Sequence, residues 1–292
     1  MKLRVSVAAI LFPDARRSLS AMKETLEFLR GKMDMIEFYY EGRDEFSVAR
    51  LLEHSGLASI FIAVIPLKEK GLSPCSTEEH NRRAAVEELK LCVDRARLFG
   101  SEGVMVCSGK NPSDPREIPR CMDAFVESMR EVAGHISQTG EPIKLLLEPC
   151  DSAMDAKHLL GPTSLSVEAV ERVRAFYPNF SLTMDTAHVA EEGEAFSGAM
   201  ALAKHYCNHV HFANCMVADP SDPLYGDKHV DFDYPGGAFS YSDLKDIFGG
   251  LEDMYGGSHL DIALEVLCRD ADPFAHFETM MAQLPFLFGR RV

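Results

Sequence analysis

The stretch FSLTMDTAHVAEEGE, residues 180–194, contains an apolar run that stops at Asp185 and is followed three residues later by His188. The run has the length and composition of a buried β-strand. The residues that follow it, 194–205, have the spacing of a helix. This stretch is therefore typical of one strand–helix unit in an α/β protein, with ionisable groups placed where the strand ends.

Short strand-like runs alternate with longer helix-patterned runs along the whole chain. The predicted strands are 3–12, 35–40, 58–65, 103–109, 143–148, 180–185, 208–215 and 260–267. The predicted helices are 18–31, 45–55, 77–99, 115–138, 163–176, 194–205, 241–255 and 273–288. Because eight successive right-handed crossovers close into a cylinder, we predict one domain over residues 1–292, a single (β/α)8 TIM barrel of the α/β class. A doubly wound open sheet is the alternative, but no glycine-rich phosphate turn follows an early strand.

Composition and charge narrow the classes of function. Of the 292 residues, 46% are hydrophobic, which is enough to bury a large core. The formal net charge is −15 and no basic stripe is concentrated anywhere, so a nucleic-acid partner is not expected. No apolar stretch has the length of a membrane span. The 8 cysteines include no CxxC pair, which predicts reduced, buried thiols in a cytoplasmic protein.

Active sites of (β/α)8 barrels lie where the strands end and the following loops begin. Four predicted strands carry an ionisable residue at or near that end: Glu148, Asp185, His211 and Glu265. Alternation along each strand places these side chains opposite the large apolar ones, and so toward the barrel axis. Three buried carboxylates and an imidazole need a counter-charge unless some are protonated or paired with Lys or Arg. Such a donor set favours Mn²⁺ or Mg²⁺, with Co²⁺ or Zn²⁺ as alternatives.

The motifs at these strand ends resemble those of the xylose isomerase-like TIM barrels, in particular the sugar phosphate isomerase/epimerase branch. The similar segments are LLLEP (145–149), LTMDTAH (182–188), HVHFAN (209–214), DKHVDFDYPGGAFSYSDL (227–244) and ALEV (263–266). The resemblance implies that one divalent metal ion is bound by four residues: Glu148, Asp185, His211 and Glu265. It also implies that His188 contacts a substrate oxygen near the metal; the alternative for His188 is a helix N-terminal residue that bonds to a loop.

The function implied by the resemblance is that of a sugar isomerase or epimerase acting on a ketose or keto acid. A proton next to the metal-chelated carbonyl is removed to give an enediolate, with Glu148 and Glu265 as the bases. A lyase of the same fold, of the inosose or 3-dehydroshikimate dehydratase type, is the alternative. A further alternative is a DNA-repair enzyme similar to endonuclease four. Endonuclease four has histidines at the ends of strands 3 and 4, whereas the corresponding segments here, AVIPLK (63–68) and VCSGKN (106–111), contain none.

Several other residues have two interpretations each. Asp227 and His229 form a DxH after the seventh strand and are expected to bind substrate, with a structural loop role as the alternative for His229. Lys110 follows the fourth strand and is expected to meet a phosphate or carboxylate of the substrate, or to be a solvated lysine. Glu37 is expected to be a buried hydrogen-bonded residue, with a catalytic role as the alternative. His158 is expected to lie at the surface.

The expected partner is a small polyhydroxylated carbonyl compound, and the resemblance suggests a homo-oligomer, either a dimer or a tetramer. The epimerases of free ketohexoses in this family carry an arginine shortly after the second histidine of HVH. Here the corresponding segment is CMVADP (215–220), which contains none. The sequence therefore does not support specificity for tagatose or psicose.

Overall fold

The computed structural model describes residues 1–269 and 271–288, and it confirms a single closed barrel of eight parallel strands. The strands are β1 (Lys2–Ala8), β2 (Met35–Phe38), β3 (Ala58–Ile62), β4 (Gly103–Val106), β5 (Lys144–Leu147), β6 (Phe180–Asp185), β7 (Cys207–Ala213) and β8 (His259–Glu265). The barrel closes between β1 and β8, where residues 2–7 pair with residues 259–264. Residue 270 and residues 289–292 of the predicted domain lie outside the described ranges.

Ten α-helices lie in the described residues. They are α1 (Leu19–Leu29), α2 (Glu45–Ser55), α3 (Val64–Glu69), α4 (Glu79–Leu98), α5 (Ile118–Thr139), α6 (Thr163–Arg174), α7 (Thr186–Glu191), α8 (Phe196–Ala203), α9 (Tyr241–Tyr255) and α10 (Pro273–Gln283). The sequence did not predict α3 and α7, because their six residues are too few to show a helical period. The predicted helix 273–288 ends at Gln283, since Pro285 lacks the N–H that a continuing helix needs and starts a short 3₁₀ turn.

Local signals in the sequence fix several of these boundaries. Helix α9 begins at a capping box, in which the Ser240 side chain accepts from the Asp243 backbone and Asp243 accepts from the Ser240 backbone. Helix α2 ends at Gly56, whose φ of 69° is in the left-handed region that glycine adopts without strain. The end residues of these two helices thus define where each begins or ends.

The strands bury their outward faces against the surrounding helices. Outward residues of all eight strands belong to one continuous apolar core: Val5, Val7, Ile36, Phe38, Phe61, Val104, Val106, Leu145, Leu147, Leu182, Met184, Val210, Phe212, Ile262 and Leu264. This is the alternation expected from the sequence, in which large apolar residues face the helices. The alternate residues of each strand therefore point into the barrel interior.

The interior of the barrel has an apolar part and a polar part. Four inward residues of β2 to β5 form a small separate cluster: Met35, Ile60, Met105 and Leu146. The remaining interior is filled by buried polar side chains: Ser6, Glu37, Thr183, His209, His211 and Asp261. A polar interior is costly unless its groups are hydrogen-bonded to one another. These side chains therefore need partners within the barrel interior.

All eight cysteines are free and buried, as the sequence predicted. Burial raises the pKa of Cys75 to about 12, so this side chain is a neutral thiol at physiological pH. Within the described ranges, no helix is both long enough and apolar enough to cross a bilayer.

Candidate active site

Four of the predicted residues meet at the carboxyl end of the barrel. Glu148 directly follows β5, Asp185 ends β6, and Glu265 ends β8, while His211 lies within β7. His211 Nδ1 is 3.0 Å from Glu148 Oε1 and 2.5 Å from Glu265 Oε2. Asp185 Oδ2 is 3.5 Å from the same nitrogen. We call these four residues the strand-end cluster.

The carboxylate oxygens that face one another in the strand-end cluster are within ion-pair distance of His211 Nδ1, but the geometry leaves all of these atoms without a hydrogen bond among the described residues. They are Glu148 Oε1, Asp185 Oδ2, His211 Nδ1 and Glu265 Oε2. All four lie within 4.8 Å of one another. A buried polar atom without a partner costs about 1–3 kcal/mol, and neighbouring carboxylates also repel one another. The cluster therefore fits a divalent cation, which would satisfy these four atoms together.

Asp185 is positioned by the helix that follows it. Its Oδ1 accepts hydrogen bonds from Ala187 N at 2.6 Å and from His188 N at 3.2 Å, so that it caps the start of α7. Its other oxygen, Oδ2, faces His211 in the strand-end cluster. One carboxylate at the end of this buried strand therefore both caps α7 and faces the other residues of the cluster.

His211 is held from its other side by Glu37 on β2. Glu37 Oε2 lies 2.9 Å from His211 Nε2, and Glu37 Oε1 lies 2.9 Å from His209 Nε2. When His211 donates through Nε2, its Nδ1 carries the lone pair that a metal ion needs. Burial raises the pKa of Glu37, but the two imidazoles outweigh this effect and lower it to about 2. Glu37 therefore orients His211 so that Nε2 faces Glu37 and Nδ1 faces the strand-end cluster.

The polar chain continues from His209 to the opposite end of the barrel. His209 Nδ1 lies 3.8 Å from Asp261 Oδ2. Arg4 donates two hydrogen bonds of 2.8 Å to Asp261 and two of 2.9 Å to Glu102. Within this chain Glu37, His209, Asp261 and Arg4 each lie within ion-pair distance of an oppositely charged group, which offsets part of the cost of burying them. This chain supports the strand-end cluster from below.

A second set of ionisable residues borders the cluster. His229 Nδ1 lies 2.8 Å from Asp227 Oδ1, and His188 Nε2 lies 3.5 Å from the same oxygen. His229 Nε2 is 3.6 Å from Glu265 Oε2. Burial raises the pKa of Asp227, but His229 and His188 together hold it well below its ordinary value. His229 has a φ of 46°, an uncommon conformation for a residue other than glycine, which is typical of functional sites.

A cavity of about 500 Å³ opens onto the strand-end cluster. Of the four residues of the cluster, Glu148 and Glu265 line the cavity, whereas Asp185 and His211 are not among its lining residues. The other predicted substrate-binding residues all line it: Lys110, His188, Asp227 and His229. The structure therefore gives a ligand in the cavity direct access to the two glutamates.

His158 lies in the cavity wall, and the expectation that it is a surface residue is wrong. Its side chain is buried, and its Nδ1 has no hydrogen-bond partner among the described residues. The loop after β5 folds inward, because the Asp151 carboxylate accepts from Asp155 N at 2.9 Å and the Asp151 carbonyl accepts from His158 N at 2.7 Å. Burial lowers the pKa of His158 to about 4, so the imidazole is neutral at pH 7.

Glu191, at the end of α7, is a buried carboxylate that sequence reasoning missed. It is 8% exposed, and neither of its oxygens has a hydrogen-bond partner among the described residues. Burial raises its pKa to about 8, although the charge of His188 acts in the opposite direction. The surrounding sequence EEGE resembles an exposed loop, so it contains no signal of this burial.

We expect the substitution Glu191→Gln to remove a pH dependence of stability. Because the pKa of Glu191 rises on folding from 4.5 to about 8, its contribution is complete below pH 4.5 and is lost as the pH rises through 8. Between pH 6 and pH 9 the metal-free wild type should lose about 2–3 kcal/mol relative to the variant. Thermal unfolding with a chelator at both pH values measures this difference.

The neighbours that act on Glu191 are the same in both proteins, so their own titration cancels in the comparison. They are His188, Asp227, Asp151 and His229. An equal loss of melting temperature in wild type and variant would show that Glu191 is ionised at both pH values.

The fold and the strand-end cluster define a TIM-barrel protein with a candidate metal site. The family model of the xylose isomerase-like TIM barrel matches residues 31–276, so the chain belongs to that family. This confirms the resemblance found in the sequence motifs. A search of curated proteins finds no match.

Solved structures of sugar epimerases have the same fold. A D-tagatose 3-epimerase-like protein aligns with a TM-score of 0.72 and 18% identity, covering 97% of this chain and 98% of that one. D-psicose 3-epimerase from Clostridium cellulolyticum H10, solved with D-tagatose, aligns with a TM-score of 0.66 and 16% identity, covering 97% and 98%. An AP endonuclease of family 2 from Brucella melitensis aligns with a TM-score of 0.66 and 18% identity, covering 96% and 98%. At such identities the likeness shows the fold.

Proposed function

We propose that the protein is a divalent-metal-dependent isomerase or epimerase of a ketose or keto acid, working by removal of the proton next to a carbonyl. One observation carries the proposal: Glu148 and Glu265 line the cavity while both also contact His211 in the strand-end cluster. Two carboxylates placed in this way can act on a bound carbonyl compound. The sugar epimerases among the structural neighbours support this choice of reaction.

The strand-end cluster would hold the cation. Three carboxylate oxygens and one imidazole nitrogen favour Mn²⁺ or Mg²⁺ over metal ions that prefer sulfur or several nitrogens. When bound there, such an ion would polarise a carbonyl and favour the loss of a proton from the neighbouring carbon.

The two glutamates divide the proton transfer between them. One carboxylate removes the proton next to the carbonyl, which leaves an enediolate in the cavity. Return of a proton to the same carbon from the other face inverts that carbon, whereas return to the adjacent carbon isomerises the substrate. His188 lines the cavity, and within residues 1–269 and 271–288 neither of its ring nitrogens has a hydrogen-bonded partner, so it can donate to the oxygen that gains negative charge.

Solvent exchange tests the proposal directly. The chelated protein is reloaded with Mn²⁺ and incubated in D₂O with ketoses, ketose phosphates and keto acids, and the products are followed by ¹H NMR. We expect deuterium to replace the hydrogen next to the carbonyl of at least one compound, only when the metal is present. Absence of exchange over the whole panel, with Mn²⁺ bound, would contradict the proposal. A lyase would instead release water and form an unsaturated product.

Metal content separates this proposal from a nuclease. We expect one ion per chain after dialysis, whereas a multi-metal DNA-repair enzyme would retain two or three. The group formed by Asp185, His188 and His229 is close enough to hold a further ion, so the count is informative. A duplex would also have to approach a chain whose net charge is −15.

A further inference from the structure

The outer part of the cavity carries basic residues, in contrast to the acidic chain around it. Four of them line it, each on a different segment: Lys68, Lys110, Lys228 and Arg269. All four are exposed or partly exposed, whereas the strand-end cluster is buried, so they mark the solvent side of the cavity. One carboxylate, Asp155, lines the cavity beside them. The other carboxylates that line the cavity, Glu148, Asp227 and Glu265, belong to its inner part. In a chain with 30 basic and 45 acidic residues, four cations against one carboxylate on the solvent side is a local reversal of charge.

Three of these cations are held in place by the protein itself. Lys228 pairs with Asp155. Lys110 Nζ donates to the Ala156 carbonyl at 2.8 Å, and Arg269 donates to the Leu267 carbonyl at 3.2 Å and to that of Lys228. An ammonium has three donors and a guanidinium five, so backbone contacts leave further donors for a ligand. Their charges are therefore fixed in position before a ligand arrives.

Lys68 differs from the other three. It follows β3 on the short helix α3 and is exposed, and it has no ion-pair partner among residues 1–269 and 271–288. An unpaired ammonium beside a cavity can pair with a ligand without first breaking a contact. Lys68 is therefore the cation whose removal tests the role of this group most cleanly.

Aliphatic side chains form much of the remaining wall. They include Ile10, Ile62, Val64, Ile65, Leu72 and Leu267. These groups cannot hydrogen-bond, so a hydroxyl placed against them loses its water without compensation. A free ketohexose carries hydroxyls along its whole length and would meet this cost repeatedly. The wall therefore favours a ligand whose strong polar contacts are at its two ends.

We infer that the substrate carries an anionic group, a phosphate or a carboxylate, at the end remote from its carbonyl, and that Lys68, Lys110, Lys228 and Arg269 bind this group. The inference rests on the proposed function, because it takes the carbonyl end to lie on Glu148 and Glu265. It also explains how a ligand is held although residues 215–220 contain no arginine.

A series of ligands that differ at one carbon tests this inference. The full chain loaded with Mn²⁺ is titrated by calorimetry with D-fructose, D-fructose 6-phosphate and D-fructuronate, which share the keto end and differ at carbon 6. We expect at least one anionic compound to bind about tenfold or more tightly than D-fructose. The advantage should shrink as NaCl is raised. The preferred compound identifies the group as a phosphate or a carboxylate; equal affinity for all three overturns the inference.

Lys68→Gln should selectively weaken binding of the preferred anion, by about fivefold. The matched control is Lys245→Gln, an exposed lysine on α9 that does not line the cavity, and it should bind like wild type. A loss of equal size for D-fructose and the anion would contradict the assignment of Lys68. Because calorimetry needs no turnover, tight anion binding without deuterium exchange would refute the proposed reaction alone. Deuterium exchange on neutral ketoses, with no tighter binding of the anionic compounds, would refute only the inferred binding site for an anionic group.

Discussion

Glu148→Gln and Glu265→Gln are each expected to abolish the exchange of substrate hydrogen with solvent. Glutamine has nearly the same shape as glutamate but cannot accept a proton at neutral pH, so each substitution removes one base of the proposed pair. General bases contribute about 10² to 10⁴ in rate, and we expect losses toward the upper end because both residues also face the cation. Deuterium uptake by a compound that the wild type exchanges, measured with Mn²⁺ in excess, gives the result.

Metal content has to be measured in the same samples, because both glutamates belong to the strand-end cluster. An amide oxygen can still act as a ligand, so Mn²⁺ in excess should load both variants. Glu278→Gln, which removes an exposed carboxylate on α10, is the matched control and should exchange at the wild-type rate. Full exchange activity in Glu265→Gln would rule out the two-base scheme.

Much of the fold and the identity of the strand-end cluster could be predicted because both depend on local repeating patterns. A strand alternates with a period of two, so the outward position of Leu182 and Met184 places Asp185 on the inner face. The end of each parallel strand lies at the same end of the barrel, so a charge at that point in one strand meets the charges of its neighbours. These two rules bring together residues as far apart in sequence as Glu148 and Glu265.

Contacts across the barrel could not be predicted in this way. Glu37 and His211 are 174 positions apart and lie on strands that do not pair, so their hydrogen bond depends on the width of the barrel interior. Glu37, the one carboxylate within MIEFYY (35–40), was predicted to be buried, but the sequence did not identify its partner. The burial of His158 and Glu191 depends on how particular loops and short helices fold over the cavity. Periodicity contains no information on that geometry.

Asp185→Asn is expected to separate the ligand role of this residue from its structural one. Asparagine retains an oxygen that can accept from Ala187 N and His188 N, so the cap of α7 should remain. The amide nitrogen takes the place of Oδ2, which removes a ligand atom and one negative charge from the cluster. We expect the affinity for Mn²⁺, measured by calorimetry, to fall at least about 100-fold, since changes outside the ligand set alone cost 10–100-fold.

The same substitution should change the stability of the protein in opposite directions with and without metal. In the metal-free wild type, Asp185 adds a third carboxylate to a buried group, so its neutral replacement should stabilise the chelated protein by on the order of 1 kcal/mol. The rise in melting temperature that Mn²⁺ causes in the wild type should disappear, because a weakly bound ion adds little stability. Asp243→Asn, at the exposed start of α9, is the matched control and should leave the effect of Mn²⁺ unchanged. If Asp185→Asn instead destabilised the chelated protein and kept its Mn²⁺ affinity, Asp185 would be a helix cap alone, and the cluster would have to be compensated by protons rather than by a cation.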